Sequence, residues 1–502
     1  MVEFSKFGAP RPSIISASRA TPGGAGTQAI ATAGSFYSSR TRHVNKTGKR
    51  VHGLSLLYTN YGPSSSTEGQ NGNPLQVKAA IEYDGTPSGD TGVRAQVGFR
   101  GTRLLTVDRG ITVISDPDFS RVVEPAGVVY ERTGVTVGTN AQVYQRSQVN
   151  LGGTSQWGLD TGEGTEANQD KIDDAQGTIS NNVSSSYSAV CLLGYPLDGT
   201  IATSIAILGD SIQVGTDDGD LGGNSGGWAE RTFADYPFVK LPIAGEKLTD
   251  FVNPKNSFRR MAIASYATHI LDAYGRNDLG ASRTLDQFKA DVLANAYRFM
   301  ARGQPYIKST ILPSPTSSDG WFTVAGQTKE TNDALRVSYN SWLRDTGATG
   351  FVAQAMAQVA SIGGAGFAKV KDVCAPVECN ISGVLTTDGG YLLGAQTAKL
   401  KTGTASAGST TSLTTSGLVA NAHKGQSLYI VSGTGAGQSR TIAYNSTTVL
   451  TVANAFSVAL DNTSVFEVFE ALGMTGVVHP HTKQNKMIAD YWAPRLEALL
   501  AA

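Results

Sequence analysis

Residues 205–212 read IAILGDSI, four apolar residues followed by Gly209, Asp210 and Ser211. An apolar run that ends in Gly-Asp predicts a buried strand followed by a turn. In open α/β sheets, ligand sites form outside the carboxyl ends of parallel strands. Ser211 is therefore a candidate nucleophile, and the alternative is an ordinary serine in a turn.

Downstream of this stretch, predicted strands alternate with predicted helices. Strands are predicted over residues 201–211, 268–278, 304–313 and 367–377, and helices over residues 255–267, 282–303 and 328–347. This alternation predicts an α/β domain with a mainly parallel sheet covered by helices. The domain is expected to comprise residues 197–382 and 471–502, with an amphipathic helix over 483–502 and a β-rich insertion at 383–470.

Upstream, residues 1–196 show short alternating runs separated by clusters of Gly, Pro, Asn, Asp and Ser. This pattern predicts a β-sandwich, with residues 157–182 as a polar loop or linker. Strands are expected over residues 50–61, 75–85, 93–101, 111–117 and 126–138. The region is interpreted as an accessory domain and a candidate glycan-binding module.

Composition narrows the classes of function. Among 502 residues, 41 Lys and Arg balance 41 Asp and Glu, which argues against a nucleic-acid partner. No run of 18 apolar residues predicts a membrane span. The opening MVEFSKFGAPRP lacks the layout of a secretory signal, so either the chain is not exported by that route or a leader has been removed. An extracellular or virion-associated location is favoured. No cofactor is predicted, and no metal is predicted because no His/Cys/Asp/Glu cluster has metal spacing.

Three cysteines are too few for a disulfide framework. They are Cys191, Cys374 and Cys379. Cys374 and Cys379 lie close together in DVCAPVEC and could pair under oxidising conditions, or both could be free thiols.

Two further residues could support a nucleophilic serine. Asn277 follows the second predicted strand and could donate to an oxyanion, or it could be a turn residue that caps a helix. His479 lies in the loop before the last helix and could serve as a base, or it could be a surface histidine. His481 is the weaker candidate.

Four segments together resemble the SGNH hydrolases, the GDSL family of esterases and lipases. They are GDSI at 209–212, PIAGEKLTDF at 242–251, YGRNDLG at 274–280, and VVHPH at 477–481 followed by a helix. The segments come in the family's order, and the resemblance covers residues 197–382 and 470–502. It implies a three-layer, flavodoxin-like α/β/α domain.

The same resemblance assigns roles to individual residues. Ser211 would be the nucleophile and His479 the general base. The backbone N–H groups of Ser211 and Gly245, with the Asn277 side chain, would form the oxyanion hole. No cofactor is implied.

One position departs from the family's pattern. The family places an acid three residues before the catalytic histidine, and here that residue is Gly476, preceded by Thr475. Three explanations stay open: an acid from elsewhere, a Ser–His dyad, or an impaired site. The residues considered as the distant acid are Glu470, Glu467 and Asp388.

Ser225 in GGNSGG is a competing nucleophile, because GNSGG fits the G-x-S-x-G pattern of α/β-hydrolases. That pattern needs a strand directly before the serine, and TDDGDLGGN is not a strand sequence. A trypsin-type site would need His43 or His52 in other surroundings. SGTGAGQS, at 432–439, lacks the Gly-Lys-Ser/Thr ending of a phosphate loop and is interpreted as a hairpin turn.

The sequence thus predicts a serine esterase that removes acyl groups, expected to be O-acetyl groups, from a polysaccharide. The alternatives are a general lipase or carboxylesterase, and an inactive glycan-binding or virion structural protein. The segment around SGTGAGQS resembles β-modules of phage structural proteins and of bacterial proteins of phage origin. A homo-oligomer is considered, and a trimer would fit a phage-spike interpretation.

Overall fold

A computed structural model gives the fold of most of the chain. It describes residues 11–18, 27–29, 36–64, 66–70, 73–83, 93–136, 143–145, 147–148, 159–164, 172–173, 181–182, 185–216, 218, 226–318, 325–364, 366–379, 385–386, 390–391, 400–469, 474–475, 479–480 and 482–501. Five residues singled out by the sequence lie outside this set: Ser225, Asp388, Glu470, Gly476 and His481.

The chain forms two compact units. The first comprises residues 1–309, 342–371 and 495–502, and the second comprises residues 310–341 and 372–494. Ser211 belongs to the first unit and His479 to the second. The predicted domains, 1–196, 197–382 with 471–502, and 383–470, stay predictions.

The first unit contains a six-stranded parallel sheet. Its strands, in chain order, are β1 (Ala17–Ser18), β2 (Ile205–Leu208), β3 (Phe238–Lys240), β4 (His269–Asp272), β5 (Tyr306–Ser309) and β6 (Ala368–Lys371). They lie in the order β1-β3-β2-β4-β5-β6, and every pairing is parallel. Counted from β2, this is the 2-1-3-4-5 order of a doubly wound sheet. The prediction of an α/β fold with a parallel sheet is confirmed.

Strand β2 is buried along its whole length. All four of its apolar residues have no solvent exposure. Strands covered on both faces read as continuous apolar runs, and Ile205–Leu208 is such a run. This burial fixes the point at which Ser211 leaves the sheet.

Ten α-helices lie in the described part of the chain, and four of them have ten or more residues. They span Ser211–Val214, Gly227–Thr232, Leu248–Phe251, Phe258–Ala264, Arg276–Leu279, Leu285–Met300, Asp333–Arg344, Phe351–Ala360, Thr482–Trp492 and Leu496–Leu500. The longest, Leu285–Met300, buries Phe288, Val292, Ala296 and Phe299 at helical spacing. The predicted helix over 282–303 is confirmed.

The prediction of one continuous helix over 483–502 is wrong. The helix Thr482–Trp492 ends before a 3₁₀ turn at Ala493–Arg495, and a separate helix spans Leu496–Leu500. Pro494 has no backbone N–H and its ring clashes with the preceding turn, so an α-helix does not continue through it.

Antiparallel strands fill the N-terminal part of the first unit. One sheet has the order Ser13–Ile14, Cys191–Pro196, Val51–Thr59, Thr112–Ile114. The other has the order Leu105–Val107, Leu75–Tyr83, Val128–Thr136, Phe36–Val44, Leu159–Gly164, Asn181–Asn182, with Val93–Val97 beside Leu75–Tyr83. Apolar side chains from both sheets, including Leu56, Val77 and Val129, belong to one buried cluster.

The second unit has its own antiparallel sheet. Its strand order is Lys401–Thr404, Val465–Phe469, Ser427–Ser432, Ser439–Asn445, Val449–Val452, Ser412–Thr414, Ala407–Gly408. Leu428, Ile430 and Phe466 belong to its buried core. Strands Ser427–Ser432 and Ser439–Asn445 pair as a hairpin, so the interpretation of SGTGAGQS as a turn is confirmed.

Candidate active site

Ser211 lies directly beyond the carboxyl end of β2. It is the first residue of the helix Ser211–Val214, and it is half-buried. Gly209 leads into this turn, and a Cβ at that position would clash with Gln213 Oε1. A side chain at position 209 would therefore displace the amide that accepts a hydrogen bond from Asp210 N–H at 3.3 Å.

Asp210 holds the turn from the inside. Its Oδ1 accepts a hydrogen bond from Ile212 N–H at 3.0 Å, and the residue is fully buried. Burial raises the pKa of Asp210 to about 7, because a carboxylate loses its hydration there. The acid next to the candidate nucleophile is thus a capping residue whose charge is disfavoured.

Gly245 lies in the loop that follows β3. Leu241 N–H donates to Ile207 O at 2.9 Å, and Ile243 N–H donates to Gly209 O at 3.1 Å, so this loop runs beside the turn before Ser211. Gly245 has φ +78°, a left-handed conformation that favours glycine.

Asn277 lies in the helix Arg276–Leu279, which follows β4, and it contacts the Gly245 loop. Its Nδ2 donates to Glu246 O at 3.0 Å. An amide nitrogen has two hydrogens, so one remains for another acceptor. The neighbouring Asp278 accepts from Leu248 N–H at 2.8 Å and Thr249 N–H at 3.1 Å, which ties the same two segments together.

The structure therefore brings Ser211, Gly245 and Asn277 to one edge of the sheet. They follow β2, β3 and β4, which are adjacent strands in the order β3-β2-β4. This is the point where a doubly wound sheet reverses its winding, and it is where such folds bind ligands.

A buried charge network that sequence reasoning missed lies beside this edge. Arg260 binds Glu246 through both terminal nitrogens, with Nη1 to Oε2 at 2.5 Å and Nη2 to Oε1 at 2.6 Å. Tyr274 donates its hydroxyl to Glu246 Oε2 at 2.5 Å. Burial raises the pKa of Glu246, and Arg260 opposes that shift. Glu246 is in the PIAGEKLTDF motif, but only the fold shows its partners.

A second buried group, also missed, supports β4 from β5. Lys308 Nζ donates to Asp272 Oδ1 at 2.8 Å and to Tyr274 O at 2.6 Å, and both charged side chains have no exposure. Asn295 Nδ2 donates to Asp272 Oδ2 at 2.8 Å. Buried charges need such partners, and these fix the strand end that leads to Asn277.

His479 is half-buried and lies in the second unit. It pairs with Thr475 in a two-residue antiparallel bridge, just before the helix Thr482–Trp492. Asn485 Nδ2 donates to Pro480 O at 3.0 Å, which holds the chain next to the histidine. Among the acids considered for the triad, Glu467 is in mid-strand, opposite Thr402 and Tyr429.

Cys374 and Cys191 are free thiols in the structure. Cys374 Sγ donates to Ile311 O at 3.1 Å, and burial raises the pKa of this thiol. The disulfide considered between Cys374 and Cys379 is therefore not formed, and the side chain of Cys379 lies outside the described residues.

The described residues contain neither a cluster suited to a metal ion nor a helix suited to span a membrane. No three His, Cys, Asp or Glu side chains among them are grouped so as to hold a metal ion. No helix in that part of the chain has the length and apolar character needed to cross a membrane.

The first unit thus contains a parallel sheet in the strand order of a doubly wound fold, with a serine at its switch point. Among solved structures, the chain is similar to a GDSL-like lipase from Bacteroides thetaiotaomicron, with 16% identity over 38% of this chain and 80% of that one, at TM-score 0.24. It is similar to a lipase/acylhydrolase from Enterococcus faecalis, with 15% identity over 34% and 75%, at TM-score 0.21.

A third similar structure extends over more of the chain. It is a salicylyl-acyltransferase from a tetracycline biosynthetic pathway, with 12% identity over 71% of this chain and 75% of that one, at TM-score 0.25. The Bacteroides thetaiotaomicron protein is described as GDSL-like. No protein-family model and no curated protein matches the chain.

Proposed function

We propose that this chain is a serine ester hydrolase of the SGNH type, with Ser211 as nucleophile. The observation that carries the proposal is the hydrogen bond from Asn277 Nδ2 to Glu246 O. It holds the Asn277 amide and the Gly245 loop together at the sheet edge where Ser211 emerges. A nucleophile and a set of oxyanion donors are the parts that acyl transfer needs.

In the proposed reaction, His479 takes the proton of Ser211 Oγ as the oxygen attacks the ester carbonyl. The carbonyl oxygen becomes an oxyanion and accepts from Ser211 N–H, Gly245 N–H and Asn277 Nδ2. The tetrahedral intermediate collapses, and the alcohol leaves with the proton from His479. Water then gives a proton to His479 and attacks the acyl-serine, which releases the carboxylic acid and restores Ser211 Oγ–H.

The site is proposed to work as a Ser211–His479 dyad. Gly476 stands where the family has its acid, and it has no side chain to orient an imidazole. A backbone carbonyl can hold the ring instead, since a neutral imidazole needs only one acceptor on its second nitrogen.

The substrate is proposed to be an acylated polysaccharide, with O-acetyl as the acyl group. The support is architectural. The N-terminal antiparallel sheets, which share one apolar cluster, are proposed to form a jelly-roll-like sandwich that binds glycan. A further antiparallel sheet at 401–469 is a second candidate binding module.

Hydrolysis of p-nitrophenyl acetate tests the proposal. Wild type is expected to turn over the ester, and Ser211→Ala and His479→Ala are each expected to lose about 10³-fold or more in kcat/KM. Ser225→Ala is the matched control and should retain wild-type activity. Equal activity of wild type and Ser211→Ala would reject the proposal, and loss of activity in Ser225→Ala would reject the choice of nucleophile.

A second candidate is an inactive glycan-binding or virion structural protein, which Gly476 in place of the acid favours. Wild type would then hydrolyse neither p-nitrophenyl acetate nor an acetylated glycan. A series of acetyl, butyryl and octanoyl esters separates the acetyl esterase from a general lipase or carboxylesterase, which would prefer the longer chains.

A further inference from the structure

A hairpin from the N-terminal part of the chain reaches the Gly245 loop. Its strands are Tyr61–Ser64 and Thr67–Gln70, called the 61–70 hairpin below. Ser66, at its tip, places Oγ 2.7 Å from the position that a Cβ on Gly245 would occupy. Ser66 itself has φ +67°, which is uncommon for a residue other than glycine.

The hairpin is anchored by one buried carboxylate. Glu68 Oε1 accepts from Arg259 N–H at 3.0 Å. Glu68 Oε2 accepts from Arg260 N–H and from Arg260 Nε, both at 3.2 Å. The side chain of Glu68 has no exposure, so these donors replace the water that the carboxylate would otherwise bind.

Arg260 connects Glu68 to the Gly245 loop. Its Nε faces Glu68, and its two terminal nitrogens bind Glu246 as described above. A guanidinium is planar, with its donors in a fixed fork, so the position of one carboxylate sets the angle at which it meets the other. Glu246 directly follows Gly245, and its carbonyl accepts from Asn277.

We infer that Glu68 is a positioning residue for the oxyanion hole. Through Arg260 it holds Glu246, and thereby the Gly245 N–H and the Asn277 amide, in one geometry. The 61–70 hairpin is accordingly part of the esterase site, an inference that rests on the proposed function. Without Glu68, Arg260 would keep its buried charge but lose one of its two carboxylate partners, the one that binds Nε.

Glu68→Gln is the direct test, and Glu82→Gln is its matched control. Glu82 is also buried and also binds two arginines, Arg40 with Nη2 to Oε1 at 2.6 Å and Arg132 with Nε to Oε2 at 2.7 Å. It belongs to the strand Leu75–Tyr83 of the antiparallel sheet. Both variants remove one buried charge from the first unit, but only Glu68 connects to the Gly245 loop.

Two measurements are compared at a temperature at which circular dichroism shows that both variants are folded. Amide hydrogen exchange over residues 243–249 is expected to be faster in Glu68→Gln and unchanged in Glu82→Gln. The kcat for p-nitrophenyl acetate is expected to fall about 10–100-fold in Glu68→Gln, with KM within about twofold, because the donors act on the transition state. Glu68→Asp, which keeps the charge, should recover part of the loss and serves if Glu68→Gln does not fold.

Exchange over 243–249 that is the same in both variants would overturn the inference. Faster exchange in Glu68→Gln with an unchanged kcat would also overturn it, because the loop would then move without cost to catalysis. A wild type inert toward esters would reject the proposed function instead. The exchange comparison would still decide whether Glu68 braces the loop.

Discussion

Asp210 has an unusual position for an acid, since it is fully buried beside the candidate nucleophile and caps the helix that begins at Ser211. Its Oδ1 serves Ile212 N–H. The charge is not needed for that bond, because an amide oxygen accepts equally well. Replacing Asp210 with asparagine should therefore remove the titrating charge and keep the structural hydrogen bond.

Asp210→Asn should change how stability depends on pH. The native pKa of about 7 exceeds the ordinary value of 3.8, so between those pH values the native state binds the extra proton. The free energy of unfolding of wild type therefore falls as pH rises through this window, by about 1.4 kcal/mol per pH unit from this group. Asparagine cannot ionise, so the free energy of unfolding of the variant should rise relative to that of wild type between pH 5 and pH 7.5.

Urea unfolding of both proteins at pH 5 and pH 7.5 measures this difference. The same gap between variant and wild type at both pH values would show that Asp210 ionises without penalty in the folded protein.

At the scale of elements, the helix Leu285–Met300 shows how local signals fix a boundary. Thr284 Oγ1 accepts from Gln287 N–H at 3.3 Å, and Gln287 Oε1 accepts from Thr284 N–H at 3.1 Å. This reciprocal pair is a capping box, and it satisfies two donors that the first turn leaves unpaired.

Thr284→Ala should lower the free energy of unfolding by about 1 kcal/mol, because the capping oxygen is lost while the helix face stays intact. Thr284→Ser keeps the oxygen and should unfold close to wild type in the same urea titration. An alanine variant as stable as the serine variant would mean that the cap contributes nothing.

Strand β3, Phe238–Lys240, is an element that its own residues do not predict. The helix Phe351–Ala360 is also absent from the predicted elements, although its alanine-rich sequence and the spacing of Phe351, Ala355 and Val359 favour a helix. A three-residue strand has too few positions for a period to register. Its place next to β2 is set by pairing with Ile205 and Ala206.

On the level of the whole molecule, the equal numbers of acidic and basic residues determine how strongly copies of the protein repel one another. The formal net charge is zero at pH 7. Long-range repulsion between molecules is weakest when net charge is near zero.

Static light scattering at low salt should therefore give the lowest second virial coefficient near pH 7, with higher values at pH 5 and pH 9. Added salt should reduce the difference, because screening shortens the range of the charges. A coefficient that is independent of pH would show that apolar contacts, rather than charge, govern association.

The amino-acid sequence alone predicts the parallel α/β character of the fold and the place of Ser211 at the end of β2. Both follow from short-range information, an apolar run and the alternation of strand and helix periods. The tertiary structure decided what surrounds that serine. Glu68 and Arg260 are 192 positions apart, and a contact over that separation leaves no periodic trace in the chain. The proposed support of Gly245 and Asn277 arises only on folding, because folding buries Glu68, Arg260 and Glu246 in contact with one another.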